Sequence, residues 1–78
     1  MHAFIQIATD SDNPDELCRE LRKNEEIKDL YVLFGKWDVV AIAEIKDAEA
    51  LGKFIIEKVR QIPGVRDTAT QIVARKFT

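Results

Sequence analysis

The chain has 78 residues, 12 basic and 14 acidic side chains for a formal net charge of -2, and a hydrophobic content of 46%. This is the balance of one globular domain, without the charge excess of a disordered chain or an apolar run near the roughly 20 residues of a membrane helix. Cys18 is the only cysteine and His2 the only histidine, which excludes an internal disulfide and a cysteine-built zinc site.

The basic residues are dispersed among acids, so no stripe for nucleic-acid phosphates is expected. The first residues lack the basic region and apolar stretch of a signal peptide, and the expected location is cytoplasmic. A core this small contributes only about 3–5 kcal/mol net, and with disulfides excluded, association with other chains is the remaining common staple.

Residues 3–9, β-branched and aromatic, predict a strand, closed by a turn cluster at 10–13. Asn13-Pro14-Asp15-Glu16 predicts a helix start, with Asn13 as cap, Pro14 in the first helical position and Glu16 completing a capping box. That helix runs to about Lys23 on an apolar stripe of Leu17, Cys18 and Leu21, which makes Cys18 a small buried residue. A second strand is expected over 27–34, with Leu30, Val32 and Phe34 alternating against Tyr31 and Leu33. A short turn at Gly35-Lys36-Trp37 joins it to a third strand over 38–45, Gly35 supplying the positive φ. Asp47 caps a second helix from Ala48 to Gln61 or Ile62, with a stripe of Ala48, Leu51, Ile55, Val59 and Ile62. Gly52 inside it implies close packing against the sheet, and Pro63-Gly64 stops the helix. Residues 65–77 contain the last strand.

The order is β-α-β-β-α-β, the ferredoxin-like pattern of an α+β fold, with two helices on one face of a four-stranded antiparallel sheet. The strands are apolar on both sides: Val39, Ala41, Ala43 and Ile45 alternate with Val40 and Ile42, and Ala3, Ile5 and Ile7 with Phe4 and Ala8. A half-exposed sheet alternates apolar with polar. Two helices cover one face only, and the other would be a large exposed patch unless a second copy buried it. A dimer follows from the pattern alone.

Residues 35–45, Gly-Lys-Trp-Asp-Val-Val-Ala-Ile-Ala-Glu-Ile, and 63–73, Pro-Gly-Val-Arg-Asp-Thr-Ala-Thr-Gln-Ile-Val, resemble two segments of the ligand-binding (RAM) domain of Lrp/AsnC transcription regulators. The first matches a Gly-x-aromatic-Asp hairpin; the second matches Pro-Gly-Val-x-x-Thr-x-Thr-x-Ile-Val. The resemblance spans the whole chain. It implies an ACT-like fold and a dimeric α/β barrel of two sheets face to face, assembling further to an octamer or similar ring. It implies an amino-acid effector bound between dimers, with no other cofactor and no metal. By position, Gly35, Lys36, Trp37 and Asp38 border the effector cleft, and Thr68 and Thr70 supply paired polar groups from the last strand. Each has a plainer role: Asp38 as a turn brace, Trp37 as a packing residue, the threonines as ordinary strand residues. Full-length members carry a helix-turn-helix ahead of this domain. Because this sequence begins one residue before the first strand, it resembles the stand-alone form, partnered by itself or by a full-length regulator.

An enzyme of the dimeric α/β-barrel type, such as a monooxygenase or isomerase, is the competing reading. Tyr31 and His2 are its only tyrosine and histidine, and acid–base machinery is correspondingly thin. A ligand-free assembly module is the third reading. The sequence favours a regulatory domain that binds an amino acid, contacts neither nucleic acid nor membrane, and is not an enzyme.

Overall fold

The computed structural model describes residues 1–78 and has the expected element order. β1 (His2–Thr9), α1 (Pro14–Leu21), β2 (Ile27–Val32), β3 (Val39–Glu44), α2 (Ala48–Phe54) and β4 (Val65–Ile72) follow in turn. The strands form one antiparallel sheet in the order β2-β3-β1-β4. β1 and β3 are interior, and β2 and β4 are the edges. No helix is long and apolar enough to cross a membrane.

The period-2 alternation of β1 and β3 decides the layering. Ala3, Ile5 and Ile7 of β1 and Val39, Ala41 and Ala43 of β3 are fully buried. Leu17 and Leu21 from α1, and Leu51 and Phe54 from α2, close the same core. The intervening residues point to the uncovered face. Because paired residues share a face, the register lays two rows across it. They are Asp29–Ile42–Phe4–Gln71 and Tyr31–Val40–Gln6–Ala69.

α1 starts where Asn13 places it: Asn13 Oδ1 accepts from Asp15 N at 3.1 Å. The capping box does not form. Asn13 N donates instead to Ser11 Oγ at 3.1 Å, a partner two residues away that needs no long side chain to be ordered, and Glu16 stays exposed. The helix also stops at Leu21, short of Lys23. Asn24 donates both its backbone N–H and its side-chain amide to the Leu21 carbonyl, each at 3.1 Å, which tightens the last turn.

Asp47 caps α2 as expected, its Oδ1 accepting from Ala50 N at 2.8 Å. A continuous helix to Gln61 or Ile62 is not found. After Phe54 the chain widens into a π-helical turn over Ile55–Val59, closed by Arg60 N to Ile55 O at 2.9 Å. The physical reason is phase. The expected stripe of Leu51, Ile55 and Val59 leaves out Phe54, and with Phe54 buried beside Leu51, unbroken α-helical steps of three and four residues bring Lys58 to the core face. The extra residue of the wide turn puts Val59 there instead, fully buried, and leaves Lys58 in solvent. β2 likewise ends at Val32, because Leu33 N to Asp38 O (2.8 Å) closes the hairpin. Phe34 lies beyond that closure, outside the strand and fully exposed.

Gly52 does not pack closely against the sheet: a Cβ built there meets nothing within 4 Å. With no steric need for glycine in the protomer, Gly52→Ala removes only its backbone-entropy penalty. The variant gains about 0.5–1 kcal/mol of stability. A rise of a few degrees in melting temperature is the expected readout, and a fall would reveal a contact at that position.

Candidate functional site

Residues 35–38 form one protruding loop between β2 and β3. Gly35 has φ 137°, a conformation side chains rarely adopt, and this is why glycine sits at the turn. The Lys36 ammonium lies 5.8 Å from the centroid of the Trp37 ring, within cation–π range. Asp38 anchors the loop. Its backbone N–H donates to Ile7 O at 3.0 Å, and its Oδ2 accepts from Thr9 N at 2.8 Å. The β1–β3 pairing ends at Ile7–Val39, and the Thr9 amide, which points to the β3 side beyond the end of that ladder, is taken by the carboxylate. Sequence reasoning does not single out Thr9. It lies 29 positions from Asp38, and no local pattern announces the contact.

Thr68 and Thr70 share a face of β4, as their spacing requires. They pair with Ile7 and Ile5 and therefore lie on the helix-covered side. Thr68 is half-buried and Thr70 exposed. Thr70 opens into a groove of about 380 Å³ between β4 and α2, beside Leu51, Gly52, Ile56 and Ile72. β1 stands between β4 and β3, so Thr68 lies two strand spacings, roughly 10 Å, from Val39 and the base of the hairpin. No cavity of the protomer is lined by both the hairpin and the threonines. No three His, Cys, Asp or Glu side chains cluster to hold a metal ion.

The model of the Lrp/AsnC ligand binding domain matches residues 2–78. The chain belongs to the Lrp/AsnC family. The HTH-type transcriptional regulator FL11 of Pyrococcus abyssi is 36% identical over 75 residues, covering 96% of this chain and 49% of that protein. This chain spans about half the length of the curated relatives it matches. The crystal structure of FFRP-DM1 superposes with a TM-score of 0.86 at 32% identity, covering 92% of this chain and 96% of that one. A feast or famine regulatory protein from M. tuberculosis, solved in complex with L-methionine, superposes at 0.83 with 26% identity, covering 99% of this chain and 52% of its own. These curated relatives are named HTH-type transcriptional regulators.

On the uncovered face of the Lrp/AsnC domain, Phe4 is 42% exposed at the centre and Tyr31 56% at the β2 edge. At one end Glu44 accepts from the Met1 ammonium at 3.1 Å and meets His2 Nε2 at 2.7 Å. The hydrogen bond from that ammonium, with further help from His2, holds the Glu44 carboxyl below the usual carboxylate range.

Cys18 lies in a second groove, between α1 and the β2 edge, with Arg19, Arg22 and Leu30. Burial pushes the thiol up, Asp15 adds to the shift, and Arg19 opposes it. The two arginines do not make a reactive thiolate. Alkylation by iodoacetamide at pH 7 is therefore expected to run slower than that of free cysteine, accelerating only above the ordinary thiol range near about 8.5. A neutral-pH rate matching the free amino acid would contradict this.

Asp38→Ala removes the acceptor of the Thr9 amide. The expected loss is that of a hydrogen bond to a charged group, about 1.5–3 kcal/mol. Asp38→Asn keeps an acceptor oxygen and is expected to lose less in a urea titration.

Proposed function

We propose that this Lrp/AsnC domain senses a free amino acid in a site completed between protomers. The observation that carries the reading is the split of the polar groups. The hairpin offers turn amides, the Lys36 ammonium and the Asp38 carboxylate on one side of β1, and Thr68 and Thr70 lie on the other, with no shared cavity in the chain. A hairpin from one protomer meeting the β4 threonines of another brings the two halves together. An amino acid then has a carboxylate partner in amides and hydroxyls and an ammonium partner in Asp38. The L-methionine complex of the M. tuberculosis relative supports this class of ligand.

The same reading makes the open sheet face a homodimer interface, with dimers assembling further so that hairpins and β4 strands of different dimers adjoin. Regulation passes through assembly, with other copies or with a full-length member of the family, in the cytoplasm, and the domain itself does not contact DNA.

A ligand that binds only the folded assembly stabilises it by about 2.7 kcal/mol at one hundred times its dissociation constant. For a domain this small each kcal/mol moves the melting temperature by about 4–8 °C. A dye-based screen of the twenty amino acids is therefore expected to show a shift on the order of 10–20 °C for the effector. Asp38→Asn, which keeps the Thr9 contact but loses the charge, is expected to weaken the response at least about tenfold, the worth of a charge-assisted hydrogen bond. If no amino acid at millimolar concentration moves the melting curve, the ligand-free assembly module is the correct reading.

A further inference from the structure

The segment after β4 leaves the sheet ladder. Its last main-chain hydrogen bond is Val73 N to His2 O at 2.9 Å. Beyond it Arg75, Lys76 and Phe77 are exposed, Phe77 at 85%, and Arg75 stacks over the Phe77 ring at 5.6 Å. The segment overhangs a cavity of about 460 Å³ on the open face, floored by Phe4, Ile42 and Val73 and rimmed by His2, Arg75 and Lys76. The rim is cationic and the floor apolar.

The register puts three acids, Asp29, Glu44 and Asp67, on the same face, with the Lys28 cation near enough to Glu44 to help hold its carboxyl down. Glu44 is engaged by the Met1 ammonium and His2, and Asp67 Oδ1 accepts from the Thr68 amide at 2.9 Å. Asp29, exposed on the β2 edge, stands in the same row as Ile42 and Phe4.

We propose that residues 73–78 form an arm that crosses to the β2 edge of a second copy, where Arg75 and Lys76 face that copy's Asp29. The inference rests on the homodimer reading and specifies the two-fold axis: parallel to the strands and between β3 and β1. Such an axis reverses each row over its mate. Tyr31 then covers the small Ala69 of the other copy, Ile42 covers Phe4, and the β4 end of one sheet, with its arm, lies over the β2 edge of the other. The same operation sets Val40 over Gln6 and Asp29 over Gln71, and it brings the cationic arm to an acid twice per dimer.

The two-fold provides the test. Two variants are made, Asp29→Lys and the double variant Arg75→Glu/Lys76→Glu. In each homodimer both symmetric contacts become like-charged, and self-association by analytical ultracentrifugation is expected to weaken about tenfold or more. In a mixture both contacts of the heterodimer are attractive: the unchanged arm meets the unchanged Asp29, and the acidic arm meets the substituted, now cationic position. A one-to-one heterodimer of wild-type affinity is expected. An arm acting within its own chain gives no rescue on mixing and overturns the proposal. Rescue by Asp67→Lys in place of Asp29→Lys puts the arm at the opposite corner and overturns it too. If both variants dimerise as wild type does, the arm contact is wrong while the dimer stands. A wild-type chain that is monomeric at micromolar concentration removes the dimer reading itself.

Discussion

Two helices have area enough for one face of a four-stranded sheet, while Val40 and Ile42 of β3 and Phe4 of β1 put apolar side chains on the other face as well. On the covered side Ile5, Ile7, Val39 and Ala41 are sealed beneath Leu17, Leu21, Leu51 and Phe54. The small residues Ala3, Ala41 and Ala43 let the helices approach the two central strands. On the other side no helix covers Phe4, Val40 and Ile42, and only the segment after β4 overhangs Phe4 and Ile42. Burial of apolar surface is worth about 25 cal/mol per Å², and the open face is where a domain of this size gains most by association.

The same demand for burial explains the departure from regular helix after α2. A core facing the sheet needs Leu51, Phe54 and a third apolar residue at the end of the run. Regular α-helical spacing offers Lys58 and the wider turn offers Val59. Desolvating an unpaired lysine costs far more than one displaced turn of hydrogen bonding. Gly52 stands just before this segment, beside the groove that Thr70 enters, and no neighbour in the chain requires its missing side chain.

In the hairpin, a structural role and the proposed binding role fall on one residue, Asp38. Asp38 holds the end of β1 through the Thr9 amide, and that bond fixes where the loop of Gly35, Lys36 and Trp37 projects. A loop held at its base by a charged hydrogen bond presents its amides and its ammonium in a set direction, which lowers the ordering cost of binding. The brace and the proposed ammonium partner are compatible because a carboxylate has two oxygens and several acceptor positions.

Much of this was legible in the residues. Alternation in β1 and β3 gave both the layering and the unpaired face, because side-chain direction in a strand has a strict period of two. Asn13 and Asp47 marked both helix starts, because a cap is a contact within three residues. The matched segments at 35–45 and 63–73 gave the family. What failed was non-local or depended on packing: Ser11 in place of Glu16 on the Asn13 amide, the strand ending before Phe34, the wide turn at Ile55–Val59, and the open space at Gly52. The partner of Asp38 is Thr9, set by where the β1–β3 ladder ends, and those strands come together only on folding. Sequence alone determined which faces are apolar and which residues carry charge. Only the tertiary structure decided which of those charges share a row and that β1 separates the hairpin from the threonines, because strand order is fixed by long-range pairing that no local spacing encodes.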